Sequence, residues 1–327
     1  MEKEYKWMVR VDCKTFNQAS YIEDALNGFC MQETTFPFVC TIIDDASTDG
    51  EQDVIRRYLE EHFDLGNKSV VRNEETEDYT LTFTRHKTNT NCYFAVLYLK
   101  YNHYSIKKTK MPYIAEWHEN CKYIAYCEGD DFWINSNMLK TLVSFLEIND
   151  DYSCAFGNRI VSDDKGKELD ITKFTADLTI HDIMEGRNPG LRNLLLRHEV
   201  LNVELVTTRY CDLIIYYKCA VCGKMKYIDG DFAVYRYTGN GVCSQLAGKD
   251  AIYAQYYHYY LFHKDTGFKY QKEYVSYQIS RLLSNLFNPR FMLYSLILME
   301  KFHAPSPKRY LWYGECTVQK IVKKMTK

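Results

Sequence analysis

Neither sign of charge prevails in this chain: 41 lysines and arginines stand against 43 aspartates and glutamates, a formal net charge of -2. Whole-chain charge therefore gives no argument for nucleic-acid binding. No long apolar run is present either. The longest near the C-terminus, Phe291 to Met299, is far too short to span a bilayer. The first residues, Met1-Glu2-Lys3-Glu4-Tyr5-Lys6, are polar and contain no secretory h-region, so the expected location is the cytosol. Neither G-x-G-x-x-G nor G-x-x-x-x-G-K-[ST] occurs. His118-Glu119 has no second His at the spacing of a zinc hydrolase. Cys219-x-x-Cys222, with Cys211 nearby, lacks the second pair that a zinc ribbon needs. The 12 cysteines are otherwise scattered, which in a reducing compartment reads as small buried hydrophobes. Internal repeats and low-complexity linkers are absent.

What is present is an ordered composition, 46% hydrophobic and 26% charged, over 327 residues. That length suits one large domain with an appendage, or two modest domains. Aromatics reach 15%, mostly among 29 tyrosines. Their flat faces and hydroxyls suit sugar surfaces, and equally cores and interfaces.

The first half alternates strand and helix patterns. Trp7 to Cys13 reads as a strand, and Ser20-Tyr21-Ile22-Glu23 as a capping box before a helix through Ala25, Leu26 and Phe29. Val39 to Ile43 is a compact β-type run expected to be buried, and Val54, Ile55, Tyr58, Leu59 and Phe63 share one face of the next helix. A strand is expected at Ser69 to Arg72, an irregular stretch at Asn73 to Asp78, and a helix at Cys92 to Tyr101. Lys107 to Lys110 reads as an exposed loop, Tyr123 to Cys127 as a strand, Met138 to Ile148 as a helix and Ser153 to Val161 as a strand. This alternation predicts an α/β fold with a mainly parallel central sheet flanked by helices. Residues 1–250 are expected to form the catalytic domain, and 251–327 a helical, Tyr-rich and basic C-terminal extension.

Two acidic clusters follow strands, where such sheets bind ligands. Asp44-Asp45-Ala46-Ser47-Thr48-Asp49-Gly50 has the composition of a turn and helix cap, but two carboxylates at a strand end also need donors or a cation. A nucleoside supplies such donors. Glu128-Gly129-Asp130-Asp131-Phe132-Trp133 offers hard oxygens suited to Mg²⁺ or Mn²⁺, or else a solvated acidic loop. Together with Thr15-Phe16-Asn17-Gln18, these motifs make the chain resemble a family 2 glycosyltransferase of the GT-A fold, the bacterial type that builds surface polysaccharides. The likeness covers roughly residues 7–160. Cys211-Asp212-Leu213, Gly223 to Tyr227 and Val234-Tyr235-Arg236 extend it to about Gln245.

The resemblance implies a Rossmann-like nucleotide-binding half and an inverting transfer from a nucleotide-diphosphate sugar, UDP by default, to a saccharide or lipid-linked saccharide. It implies that Thr15, Asn17 and Asp44 line the nucleoside pocket, with Asp45 in support. Asp130 faces the ribose, Asp131 holds the divalent metal, and Asp212 is the general base or else a helix cap. The chain departs from the family at Cys211, where a Gly usually precedes the base. It departs again at Tyr237-Thr238, where relatives often carry a His. Glu77 to Cys121 is longer than the usual connection, and either shapes the acceptor site or decorates the surface. A catalytically degenerate nucleotide-sugar-binding homologue and a sugar nucleotidyltransferase are the competing readings. From Pro289 onward, basic residues alternate with Leu, Phe and Trp, which suits peripheral contact with an anionic membrane face or a helical tail packed on the protein.

Overall fold

The computed structural model describes residues 4–203, 211–239 and 248–325. The chain divides into two compact units. The first is Met1–Asp177, Pro189–Asn202 and Gly223–Thr238; the second is Leu178–Asn188, Val203–Cys222 and Gly239–Lys327. The last part of the resembling stretch, up to Gln245, lies outside the described residues, as do Met1 to Lys3 and Lys327.

The first unit begins with β1 (Trp7–Thr15), α1 (Ile22–Cys30), β2 (Phe38–Asp44), α2 (Glu51–His62), β3 (Arg72–Glu75), β4 (Tyr79–Arg85) and β5 (Cys92–Leu99). It continues with α3 (Met111–Glu119), β6 (Cys121–Tyr126), β7 (Phe132–Trp133), α4 (Met138–Glu147), β8 (Tyr152–Phe156), β9 (Arg159–Ser162) and β10 (Glu168–Thr172). After α5 (Ile180–Met184) come β11 (Leu194–Arg197), α6 (Cys211–Cys222), β12 (Lys224–Tyr227) and β13 (Ala233–Arg236). The helices α7 (Gly248–Asp265), α8 (Gln271–Ser284), α9 (Pro289–Lys301) and α10 (Arg309–Met325) follow.

Among the described residues, the main sheet has nine strands in the order β12-β8-β11-β6-β1-β2-β5-β4-β3. The central four, β6-β1-β2-β5, run parallel. Antiparallel pairings of β11 with β6 and β8, and of β4 with β5 and β3, extend them on both sides. Every residue of β2 is buried, as its unbroken apolar run requires. Helix α1 turns Ile22, Ala25, Leu26 and Phe29 inward, and α4 does the same with Leu139, Leu142, Val143 and Leu146. Each large apolar side chain so buried contributes about 1.5–3 kcal/mol. A second sheet, β10-β9-β13-β7, has four strands.

Four local expectations are corrected. Cys92 to Leu99 is the strand β5 rather than a helix, because it is buried on both faces and its apolar run carries no helical period. The strand expected at Ser69 to Arg72 starts instead at Arg72, and Asn73 to Glu75 belong to it. Ser153 to Val161 is two strands, β8 and β9, in different sheets. Ser20 makes no capping bond among the described residues. The turn before α1 closes through the Gln18 carbonyl, which accepts from Tyr21 and Ile22 N–H at 2.8 and 3.0 Å, while Asp49 Oδ2 accepts from Ala19 N–H at 2.9 Å.

The second unit is helical among its described residues, and many of its tyrosines are core. Tyr256, Tyr274 and Tyr277 are buried with Leu298, Met299 and Phe302. The Tyr274 hydroxyl donates to the Phe302 carbonyl at 2.7 Å and that of Tyr256 to the Gln278 carbonyl at 3.2 Å, which removes the penalty of burying them. His263 is fully buried, with Nε2 at 3.1 Å from the Met184 carbonyl. Burial holds its pKa down at about 4 despite that bond. The unfolded chain therefore takes up a proton near pH 6.5 that the folded chain refuses until about pH 4. His263 stability is present above pH 6.5 and is lost as pH falls toward 4. We expect His263→Gln to flatten the acid side of the stability curve by up to about 1.36 kcal/mol per pH unit. Denaturant unfolding of both proteins from pH 7 to pH 4 measures it.

Candidate active site

Register places the ends of three parallel strands side by side. Thr15, the last residue of β1, pairs with Asp44, the last of β2, while Asp12 pairs with Tyr126 at the end of β6. The chain leaving β6 stays against β1: Gly129 N–H donates to the Lys14 carbonyl at 3.2 Å. Only glycine permits this approach, since a Cβ at 129 would lie 2.3 Å from Thr15 Oγ1. The first unit thus brings together Thr15, Asn17, Asp44, Asp45, Asp130 and Asp131. Asp212 belongs to the second unit, exposed in the first turn of α6.

Glu51 ties the first two loops together. Its buried carboxylate accepts from Gln18 N–H at 2.9 Å and Ser47 Oγ at 2.8 Å, and it hydrogen-bonds the Thr15 hydroxyl. Burial raises its pKa against those bonds. Asn17 sits at φ 54° and Ala46 at φ 63°, left-handed positions that let the two loops interlock. Asn17 Oδ1 accepts from Thr48 N–H at 2.8 Å, and Asn17 N–H donates to Ser47 Oγ at 2.8 Å.

The adjacent carboxylates of Asp44 and Asp45 have different work. Asp45 is saturated by His103 N–H at 2.8 Å, Tyr104 N–H at 3.0 Å and Lys110 Nζ at 2.8 Å, and so anchors the long segment after β5. Lys110 is therefore not part of an exposed loop, although Lys107 and Lys108 are exposed. Asp44 Oδ2 accepts from Ser47 N–H at 3.2 Å and Gln52 Nε2 at 2.5 Å, but its buried Oδ1 has no partner among the described residues. Tyr98 is its neighbour in register on β5, and the Tyr98 hydroxyl is also buried and without a hydrogen-bond partner among the described residues. A buried acceptor left without a donor is costly unless a ligand supplies one. Tyr98 escaped the sequence reading because its segment was expected to be helical.

In the acidic loop, ligand oxygens of Glu128, Asp130 and Asp131 lie within 4.8 Å of one another. Exposure falls along the series, from exposed Glu128 to buried Asp131. Burial, aided by Asp130 and opposed by Arg192, pushes the Asp131 pKa up to about 6. Burial also raises Asp130, against a backbone hydrogen bond and Arg192. Three hard-oxygen donors, two of which, Asp130 and Asp131, have their charge disfavoured by burial, fit a divalent cation. Asp131 Oδ1 also accepts from Arg236 N–H at 3.0 Å, and Oδ2 lies 2.8 Å from Arg192 Nε. Arg192 was missed because its sequence neighbourhood carries no motif. The Val234-Tyr235-Arg236 stretch does sit at the acidic loop, as β13 pairs with β7 there. Cys219 and Cys222 both lie in α6 and form no disulfide among the described residues.

No family model matches the chain. Uncharacterized proteins of Mycobacterium bovis and Mycobacterium tuberculosis are 25% identical to it over 233 residues, which is 70% of this chain and 58% of theirs. The chain therefore spans a little over half the length of these curated relatives. Among solved structures, it is similar to residues 1–349 of S. aureus TarS in complex with UDP-GlcNAc, with a TM-score of 0.52 and 14% identity over 94% of this chain and 79% of that one. The mannosyltransferase PcManGT from Pyrobaculum calidifontis, in complex with GDP-Man and Mn²⁺, gives 0.44 at 11% identity over 98% and 79%. The chain shares the fold of that TarS fragment: a large central sheet flanked by helices, with a helical C-terminal part.

Proposed function

We propose that this chain is an inverting, metal-dependent glycosyltransferase. It moves a sugar from a nucleotide-diphosphate sugar to a hydroxyl of a saccharide or lipid-linked saccharide in surface polysaccharide synthesis. The observation that carries this reading is Asp44 Oδ1, buried at the end of β2 and unpartnered among the described residues, at the same end of the parallel strands as the Glu128, Asp130 and Asp131 cluster. One supplies an acceptor for a base N–H, the other a seat for the cation that accompanies a diphosphate. UDP is the favoured nucleotide because TarS, which shares the fold, was solved with UDP-GlcNAc.

Residues 1–250 form the catalytic part in this reading. Asp44 accepts from the base, Thr15 and Asn17 shape the pocket through their ties to Glu51 and Thr48, and Asp45 holds the segment after β5 in place. Asp130 accepts from ribose, and Asp131 with Glu128 holds Mn²⁺ or Mg²⁺. The bound cation supplies charge neutralisation at the diphosphate. Asp212 removes the acceptor hydroxyl proton as the new oxygen–carbon bond forms at the anomeric centre and the bond to the diphosphate breaks. The nucleoside diphosphate leaves from the opposite face, so configuration inverts. NMR of product made from a UDP-sugar and a saccharide acceptor tests this. An inverted linkage supports the reading, and a retained one contradicts it.

The same proposal includes peripheral contact with an anionic membrane face. No helix among the described residues is long and apolar enough to cross a membrane. Of the apolar tail residues, Leu298 and Phe302 are buried, whereas Leu293, Leu296, Leu311, Ile321 and Val322 are exposed. Just before α9, Phe287 is 98% exposed. Exposed Arg290, Lys301 and Lys308 accompany them. Apolar side chains standing among cations suit the headgroup region of an anionic leaflet. The protein is expected to float with anionic vesicles at low salt and less at high salt. Joint replacement of Phe287, Leu293 and Leu311 by Ser should weaken binding by about tenfold or more, given roughly 1.5–3 kcal/mol per buried side chain. A folded protein that never floats contradicts membrane contact.

A further inference from the structure

Arg192 stands where a cation is expected. It lies in the short turn Leu191–Asn193 that leads into β11, and β11 runs antiparallel to β6, the strand that ends in the acidic loop. Its backbone is pinned: the Trp133 indole N–H donates to the Arg192 carbonyl at 2.9 Å. Its guanidinium lies 4.2 Å from the centre of the Tyr235 ring, and Nε is 2.8 Å from Asp131 Oδ2. Arg192 is 16% exposed and Asp131 3%. The other Asp131 oxygen already accepts from Arg236 N–H at 3.0 Å.

We infer that Arg192 is a built-in counter-ion for the acidic loop and a positioning residue that changes partner when donor binds. The inference rests on the glycosyltransferase reading above. With the diphosphate absent, the guanidinium neutralises Asp131 and relieves repulsion among Glu128, Asp130 and Asp131. A divalent cation alone must then share Asp131 with a second cation a few ångströms away, so it binds weakly. A diphosphate changes the balance. Its oxygens are stronger partners for a guanidinium than one carboxylate oxygen, and a fork of N–H donors matches them. Arg192 then turns from Asp131 to the phosphates, with the Tyr235 face beside it throughout, and Asp131 is freed. Metal and nucleotide load together rather than in either order.

Two titrations test this: Mn²⁺ alone, and UDP in the presence of Mn²⁺. Both are followed by calorimetry on the full chain. Arg192→Gln removes the counter-ion, so Mn²⁺ alone should bind about tenfold more tightly while UDP with Mn²⁺ binds about tenfold more weakly. Arg192→Lys should move both affinities back toward wild type. A purely structural Arg192 would lower the melting temperature without tightening Mn²⁺ binding, and that result overturns the inference. Unchanged affinities in a folded Arg192→Gln protein overturn it as well. If wild type binds UDP with Mn²⁺, the functional reading stands whatever the variant does. If wild type binds no UDP under any condition, both fall.

Discussion

Asp131→Asn is expected to lose at least about 100-fold in affinity for UDP in the presence of Mn²⁺, and to show little difference between Mn²⁺ and EDTA. The reason is local. Asp131 is the most buried carboxylate of the acidic loop, and burial already pushes its pKa up to about 6. Its negative charge therefore needs cations nearby. The variant keeps the oxygen that accepts from Arg236 N–H, so the β13 contact survives, but it removes the charge that a divalent cation requires. Changing even a residue behind a metal ligand commonly costs 10–100-fold. A ligand itself should cost at least as much. The variant also leaves Arg192 without its carboxylate partner, so some loss of stability is expected, and a melting curve must accompany the titration. Equal UDP affinity in the two folded proteins, with and without Mn²⁺, would remove Asp131 from the metal site.

The second large effect concerns chemistry rather than binding. Asp212→Asn is expected to keep UDP affinity and all but a few degrees of its melting temperature while turnover falls about 10²–10⁴-fold, the usual cost of losing a general base. Asp212 is exposed in the first turn of α6, so the change disturbs no buried packing. A neutral side chain there removes a favourable charge at the helix start, at a cost of about 0.3–1 kcal/mol. Initial rates and UDP calorimetry on the same preparation separate the two roles. Near-normal turnover in the Asn variant assigns the proton transfer to another group, and leaves Asp212 a residue that merely favours the helix.

The parts of the site that were legible in the sequence are those set by local chemistry. Val39 to Ile43 is short and rich in β-branched residues, which favours a buried strand with Asp44 at its end. In a parallel sheet the acidic cluster after Tyr123 to Cys127 is expected at the same end, and β1 lies between the two. What stayed hidden depends on distant partners. Glu51 looks like an ordinary first-turn acid of α2, yet it joins the Thr15 and Ser47 loops. Lys110 looks solvated, yet it neutralises Asp45. The Ser20 pattern is locally sound, but the Gln18 carbonyl and the Asp49 carboxylate close the turn instead. Cys92 to Leu99 misled for a different reason: a strand covered on both faces has no alternation to read, so Tyr98, the neighbour of Asp44 in register, was hidden with it.

The central claim is that the loops after β1, β2 and β6 form a metal-assisted seat for a nucleoside diphosphate. It is tested most directly by thermal unfolding of the full chain with a panel of nucleoside diphosphates and their sugars, each with Mn²⁺ and with EDTA. UDP or a UDP-sugar at a hundred times its dissociation constant should stabilise the protein by about 2.7 kcal/mol with Mn²⁺, and by far less with EDTA. No shift with any nucleotide in the presence of Mn²⁺ would contradict the account.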